Sequence, residues 1–181
     1  HTPTYSPPVA SRSFAYLGVS AYEAVAGGSD DLQSLAGQLS GLTPVAPREA
    51  GKTYDDAVVV NAAMTFAARN FFTHTGPTGQ RAMAAMTRKL GARVTEGLDP
   101  ALATASEAQG AALAAHILAW AETDGGAQIE NLVFPAEWKL TEGPAHWVPT
   151  NAIRLQQTPL LPNWGTVRTF AVTGDLPCGL E

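Results

Sequence analysis

The sequence predicts an all-α protein: a bundle of about five helices over residues 1–126, then a long irregular segment rich in proline and tryptophan over residues 127–181 of the same domain. Three observations carry this expectation. Apolar residues recur three and four positions apart through the first 125 residues, the signature of amphipathic helices. That pattern stops at Gly125 and Gly126. Behind them lie Trp138, Trp147 and Trp164, three of the four tryptophans, among prolines at 135, 144, 149, 159, 162 and 177. Prolines at that density exclude a regular helix, because each removes a backbone donor and clashes with the preceding turn.

Each element has its own local reason. Ser6 is placed to cap the first helix, and Pro7 and Pro8 are tolerated in its first turn. Phe14, Leu17, Ala21 and Val25 form one apolar stripe, so a helix is expected over 7–26, stopped by Gly27 and Gly28. Leu32, Leu35 and Leu39 suggest a short helix near 32–40, ended by Gly41 and Pro44. Pro44, Pro47 and Gly51 mark a loop. Thr53 to Asp56 resembles a capping box with Asp in place of Glu or Gln, and starts a helix over 54–72. Its apolar surface is wide, with Val60, Met64, Ala67 and Phe71 on one face and Val59, Ala63 and Phe66 beside it, which predicts a buried central helix. Gly76 and Pro77 restart the chain for a helix over 78–96. Met83, Met86, Leu90 and Val94 are its expected inner face, with Arg81, Arg88, Lys89 and Arg93 mostly off that stripe. Asp99 and Pro100 open a last helix over 100–124, anchored by Leu113, Ile117 and Trp120. Its small residues Gly110, Ala111, Ala114 and Ala115 predict that another helix approaches closely.

Composition bounds the function. Charged residues are 15% of the chain against 45% apolar, below the usual share of about a quarter, so part of the surface is expected to be covered. A net charge of -5 argues against nucleic-acid binding, which needs clustered Lys and Arg. No apolar run approaches the roughly 20 residues that span a bilayer. Cys178 has no partner thiol for an internal disulfide. The chain begins with His1, as a processed product, an engineered product or a fragment would, and a removed leader, one of these explanations, would imply a periplasmic or secreted protein.

Candidate chemistry is sparse. Ser20 sits in G-V-S, which invites comparison with a nucleophile elbow, but Tyr22 replaces the last glycine and the serine lies mid-helix. His1, His74, His116 and His146 show no helical metal-ligand spacing, and packing outweighs catalysis as the role of His116 and His146. Asp30 with Asp31 and Asp55 with Asp56 are adjacent pairs, which do not face each other on a helix. Helix N-terminus electrostatics explains the second pair, and solvent exposure the first. There is no P-loop, Rossmann glycine pattern or cysteine metal motif. No catalytic, cofactor-binding or metal-binding residue is therefore assigned.

The order of several landmarks is more telling. PPVASRSFAYLGVSAYEAV at 7–25 resembles the opening helix of bacterial vanadium-dependent haloperoxidase-like proteins of the type 2 phosphatidic acid phosphatase superfamily. SLAGQLSGL at 34–42 follows in the expected order, and ILAWAETDG at 117–125 resembles the end of a later helix. WVPT at 147–150 and PLLPNWGTVRTF at 159–170 resemble the irregular segment after it. The resemblance implies that this segment wraps between an N-terminal helical region and a catalytic bundle. It also implies a vanadate or phosphate site built from a Lys with a following Arg-Pro, a PSGH segment and a Ser-Arg segment leading to G-x-H. None of these is present. Seven positions after Lys52, Lys89 and Lys139 stand Val59, Glu96 and His146, and after Ser11 and Arg12 Tyr16 replaces the required glycine.

Two functions follow. The chain is the N-terminal helical part of a haloperoxidase-like or phosphatase-like protein, with its partner the catalytic portion beyond Glu181 or on another chain. Alternatively it is a non-catalytic subunit or interaction module that meets another protein or a copy of itself. In the irregular segment, Trp164 is expected to be mostly buried with Val167 and Phe170 nearby, and Arg168 to bond loop carbonyls or a carboxylate. Contact of Arg168 with an oxyanion is the less favoured alternative.

Overall fold

The computed structural model describes residues 6–126, 139–148 and 159–172. Among them are four α-helices, one short 3-10 turn and no strand, so the protein is all-α. The chain separates into two compact units, residues 1–121 with 169–181, and residues 122–168.

In the first unit, α1 spans Pro7–Ala26, α2 Asp56–Phe71, α3 Pro77–Val94 and α4 Pro100–Glu122, whose last residue enters the second unit. Their ends follow from capping chemistry. Ser6 precedes α1 in an extended conformation, but its side chain makes no cap bond; the two prolines and the Ser6 carbonyl, which accepts from Ala10 N at 2.9 Å, start the helix without it. At α2 the cap is Asp55, not Thr53: its carboxylate accepts from Val58 N at 3.0 Å, a stronger acceptor than a hydroxyl at the same terminus. The Asp99 carboxylate accepts from Ala101 N and Leu102 N and starts α4.

The expected short helix at 32–40 does not form. Gly37 and Gly41 adopt φ of 77° and 74°, which a right-handed helix cannot contain. Glu23, 2% exposed on α1, takes the backbone N–H of Leu35 at 2.6 Å and the Ser34 hydroxyl at 2.8 Å. That carboxylate replaces the helical partner Leu35 N would otherwise need.

The core of this unit lies between α1, α2 and α4, with Tyr16, Val19, Ala24, Val59, Ala63, Leu113, Ala114, Ile117 and Trp120 buried. The small-residue face of α4 is used as expected. A Cβ added at Gly110 would stand 2.9 Å from Ala62 Cβ and 3.0 Å from Ala63 N, so α2 reaches the α4 backbone there. Val59, Ala63 and Ala67 bury the inner face of α2.

Two helices turn another face inward than their apolar pattern suggests. On α1 the buried residues include Val9, Ser13, Tyr16, Ser20 and Glu23, while Phe14 and Val25 are exposed. At about 100° per residue the buried face is rotated by about 140° from the expected stripe. The reason is local satisfaction of polar groups: Ser20 Oγ donates to the Tyr16 carbonyl at 2.9 Å, and Glu23 is engaged by the 34–35 loop. On α3, which packs on α2, no residue is buried. Met83, Ala84, Thr87, Gly91 and Val94 are half-buried, whereas Met86 and Leu90 are exposed. Its contact face is turned by about 60° from the expected one.

In the second unit, residues 139–148 are irregular and exposed. Residues 164–166 form the 3-10 turn, Trp164–Thr166, in which Trp164 N donates to Leu161 O at 2.9 Å. Trp138, Phe134, Cys178 and the end of the WVPT segment lie outside the described residues.

Candidate functional site

The densest convergence of functional groups is aromatic. Tyr16, 3% exposed, stacks on Phe71 with centroids 5.2 Å apart. It meets Trp120 and Phe170 edge-on, each at 5.1 Å, and Trp120 meets Phe170 at 5.7 Å. Each such pair adds about 0.5–1.5 kcal/mol beyond the area it buries. The polar edges are tied down as well. Trp120 Nε1 donates to Ser40 O at 3.0 Å, and Ser40 N donates to Phe170 O at 2.6 Å. The Arg12 guanidinium lies 4.6 Å from the Phe170 ring centroid and donates to Tyr16 Oη at 3.0 Å. The 34–42 loop, α1, α4 and Phe170 are thus joined at one point. Phe170, expected near Trp164, packs its ring on Tyr16, which the apolar-stripe reading passed over.

A cavity of about 230 Å³ lies beside this core, lined by Glu23, Ser34, Val45, Arg48, Gln109 and Leu113. Its charged groups already have partners. Glu23 holds the loop, and Arg48 donates to Asp56 at 2.6 Å and covers the Tyr54 ring. Its walls are mainly aliphatic, so it offers packing space and no general acid–base pair.

The remaining candidates take structural places. Ser20 is fully buried in a helix-internal bond, away from any turn. His116 Nε2 lies 3.0 Å from Thr43 O and 3.2 Å from Thr43 Oγ1. His146 is exposed in a turn closed by its N–H to Gly143 O at 3.1 Å. Asp30 and Asp31 are exposed, Asp55 caps α2 and Asp56 pairs with Arg48. Within the second unit, Arg168 donates from Nη1 to Thr123 Oγ1 at 2.7 Å and from its backbone N to Asp124 O at 3.0 Å. Nη1 also reaches Thr123 O at 3.4 Å, the loop carbonyl contact expected of the guanidinium, while its shorter bond is to a hydroxyl that was not expected. Trp164 is partly buried, and Leu161 and Val167 are the fully buried residues around the turn, at 4% and 7% exposure.

Among the described residues no three His, Cys, Asp or Glu side chains cluster as metal ligands, and no helix is long and apolar enough to cross a membrane. An oxyanion such as vanadate needs several convergent cationic and N–H donors. Arg12 is engaged with aromatic rings, Arg48 with Asp56, Lys52 with Glu49 and Arg168 with Thr123, so these side chains do not fit that group.

No protein-family profile and no curated protein matches the chain. A solved structure does: a bacterial vanadium-dependent iodoperoxidase is 32% identical over 93% of this chain, with a TM-score of 0.72. The chain spans 37% of the length of that protein. In sequence and in fold the chain is therefore similar to that bacterial iodoperoxidase, in line with the resemblance that its landmarks carry.

Proposed function

We propose that residues 1–181 form the non-catalytic helical part of a haloperoxidase-like protein, whose oxyanion site is carried by further polypeptide. The observation that carries this reading is the asymmetry of the match: nearly all of this chain, but 37% of the iodoperoxidase. The missing Arg-Pro, PSGH and G-x-H segments support it, as do the cations engaged with protein partners. Bound vanadate would supply peroxide activation for halide oxidation in the complete protein. Residues of this chain take no part in that step; they shape and hold the scaffold, through the Tyr16 cluster. Halide oxidation is favoured over phosphoester hydrolysis because the similar solved protein is an iodoperoxidase.

The test is turnover. Purified 1–181, supplied with vanadate, hydrogen peroxide and iodide, is expected to oxidise iodide no faster than vanadate alone. Saturable turnover by a homogeneous sample, lost on replacing one residue of this chain, would overturn the proposal.

A further inference from the structure

The α2–α3 face carries a chemistry of its own. Between the two helices runs an open apolar groove lined by Ala57, Val60, Asn61, Met64 and Leu90, with Asp56 at its edge. Met86 is 54% exposed and Leu90 39% beside it. The helical period puts Lys89 and Arg93 on the flank next to Met86, with Arg81 and Arg88 on the far side. All four cations are exposed. α3 contains no acidic residue, although the chain as a whole carries a net charge of -5. The most basic helix of an acidic protein thus borders an apolar groove that none of the described residues fills.

We propose that this groove docks an amphipathic helix whose apolar ridge is flanked by carboxylates. The ridge would lie over Val60, Met64, Met86 and Leu90, and the carboxylates would pair with Lys89 and Arg93. An apolar contact supplies the affinity in such a mode, and the flanking charges select the partner and its direction. A second copy docking face to face would set Lys89 and Arg93 of each molecule against those of the other, a like-charge arrangement. The inference rests on the reading that further polypeptide completes this protein, and it assigns that polypeptide a binding surface.

The test uses the intact 181-residue chain and two fluorescently labelled helical peptides of about 18 residues, alike in their leucine ridge and flanked by Glu in one and Lys in the other. Anisotropy titration is expected to show the Glu peptide binding about tenfold tighter. The double variant Lys89→Glu with Arg93→Glu should reverse that preference, and Met86→Asp with Leu90→Asp should abolish binding of both peptides. Cooperative unfolding of each variant confirms that it is folded. Equal binding of the two peptides, or binding indifferent to these substitutions, would overturn the proposal. Self-association of the chain abolished by Met86→Asp would overturn it too, in favour of a second copy. These outcomes are separate from the iodide assay, so the groove can fail while the non-catalytic reading stands, and the reverse.

Discussion

Tyr16 on α1 and Met86 on α3 sit on helices of similar length, 20 and 18 residues, yet Tyr16 is 3% exposed and Met86 54%. Tyr16 finds four partners of complementary shape: Phe71, Trp120, Phe170 and the Arg12 guanidinium. Met86 belongs to an apolar stripe as regular as any in the chain and has no such company among the described residues. The comparison teaches that periodicity locates a helix and its two faces, whereas burial depends on which face meets a partner that satisfies both its apolar area and its polar edges. Ser20 and Glu23 can be buried on α1 because a helix carbonyl and the 34–35 loop receive them.

The contrast can be broken by substitutions of graded effect. Trp120→Ala removes a ring that contacts Tyr16 and Phe170 and a bond to Ser40, and we expect a loss of about 3–5 kcal/mol in urea unfolding. A loss below about 1 kcal/mol, the range of surface changes, would show that the aromatic cluster is not the core. Gly110→Leu drives a side chain against α2, and the expected cost is about 1–3 kcal/mol by the same measurement. An unchanged midpoint would mean that α2 and α4 do not approach at Gly110. Glu23→Ala leaves Leu35 N and the Ser34 hydroxyl without their acceptor, with an expected cost of about 1–3 kcal/mol. Hydrogen exchange at Leu35 should accelerate along with it; an unaltered rate there would remove the clamp from the description. Met86→Asp is expected to change the stability of the 181-residue chain by no more than about 0.5 kcal/mol. A large loss would place Met86 inside the core and erase the contrast.

Much of this was legible in residues. The proline pair at 7 and 8 and Asp99 open helices, and the expected spans 7–26, 54–72, 78–96 and 100–124 stand within two residues of Pro7–Ala26, Asp56–Phe71, Pro77–Val94 and Pro100–Glu122. Leu113, Ile117 and Trp120 are buried as their spacing indicates, and Gly110 is the close approach its size suggests. What was not legible depended on distant partners. The 32–40 segment has helical leucine spacing, but Glu23, more than ten positions earlier, captures its backbone. Tyr16 reads as one aromatic among several until α4 and Phe170 are folded against it. For the candidate site, the missing oxyanion motifs were visible at once, whereas the basic groove on α3 required knowing which face α2 takes.

The division of labour between this chain and an oxyanion site carried by other polypeptide is tested most directly by equilibrium dialysis of vanadate against purified 1–181 whose unfolding is cooperative. We expect no saturable binding, because Arg12, Arg48 and Arg168 are already engaged with rings, Asp56 and Thr123. Saturable one-to-one binding, abolished by replacing any one of those arginines, would contradict it.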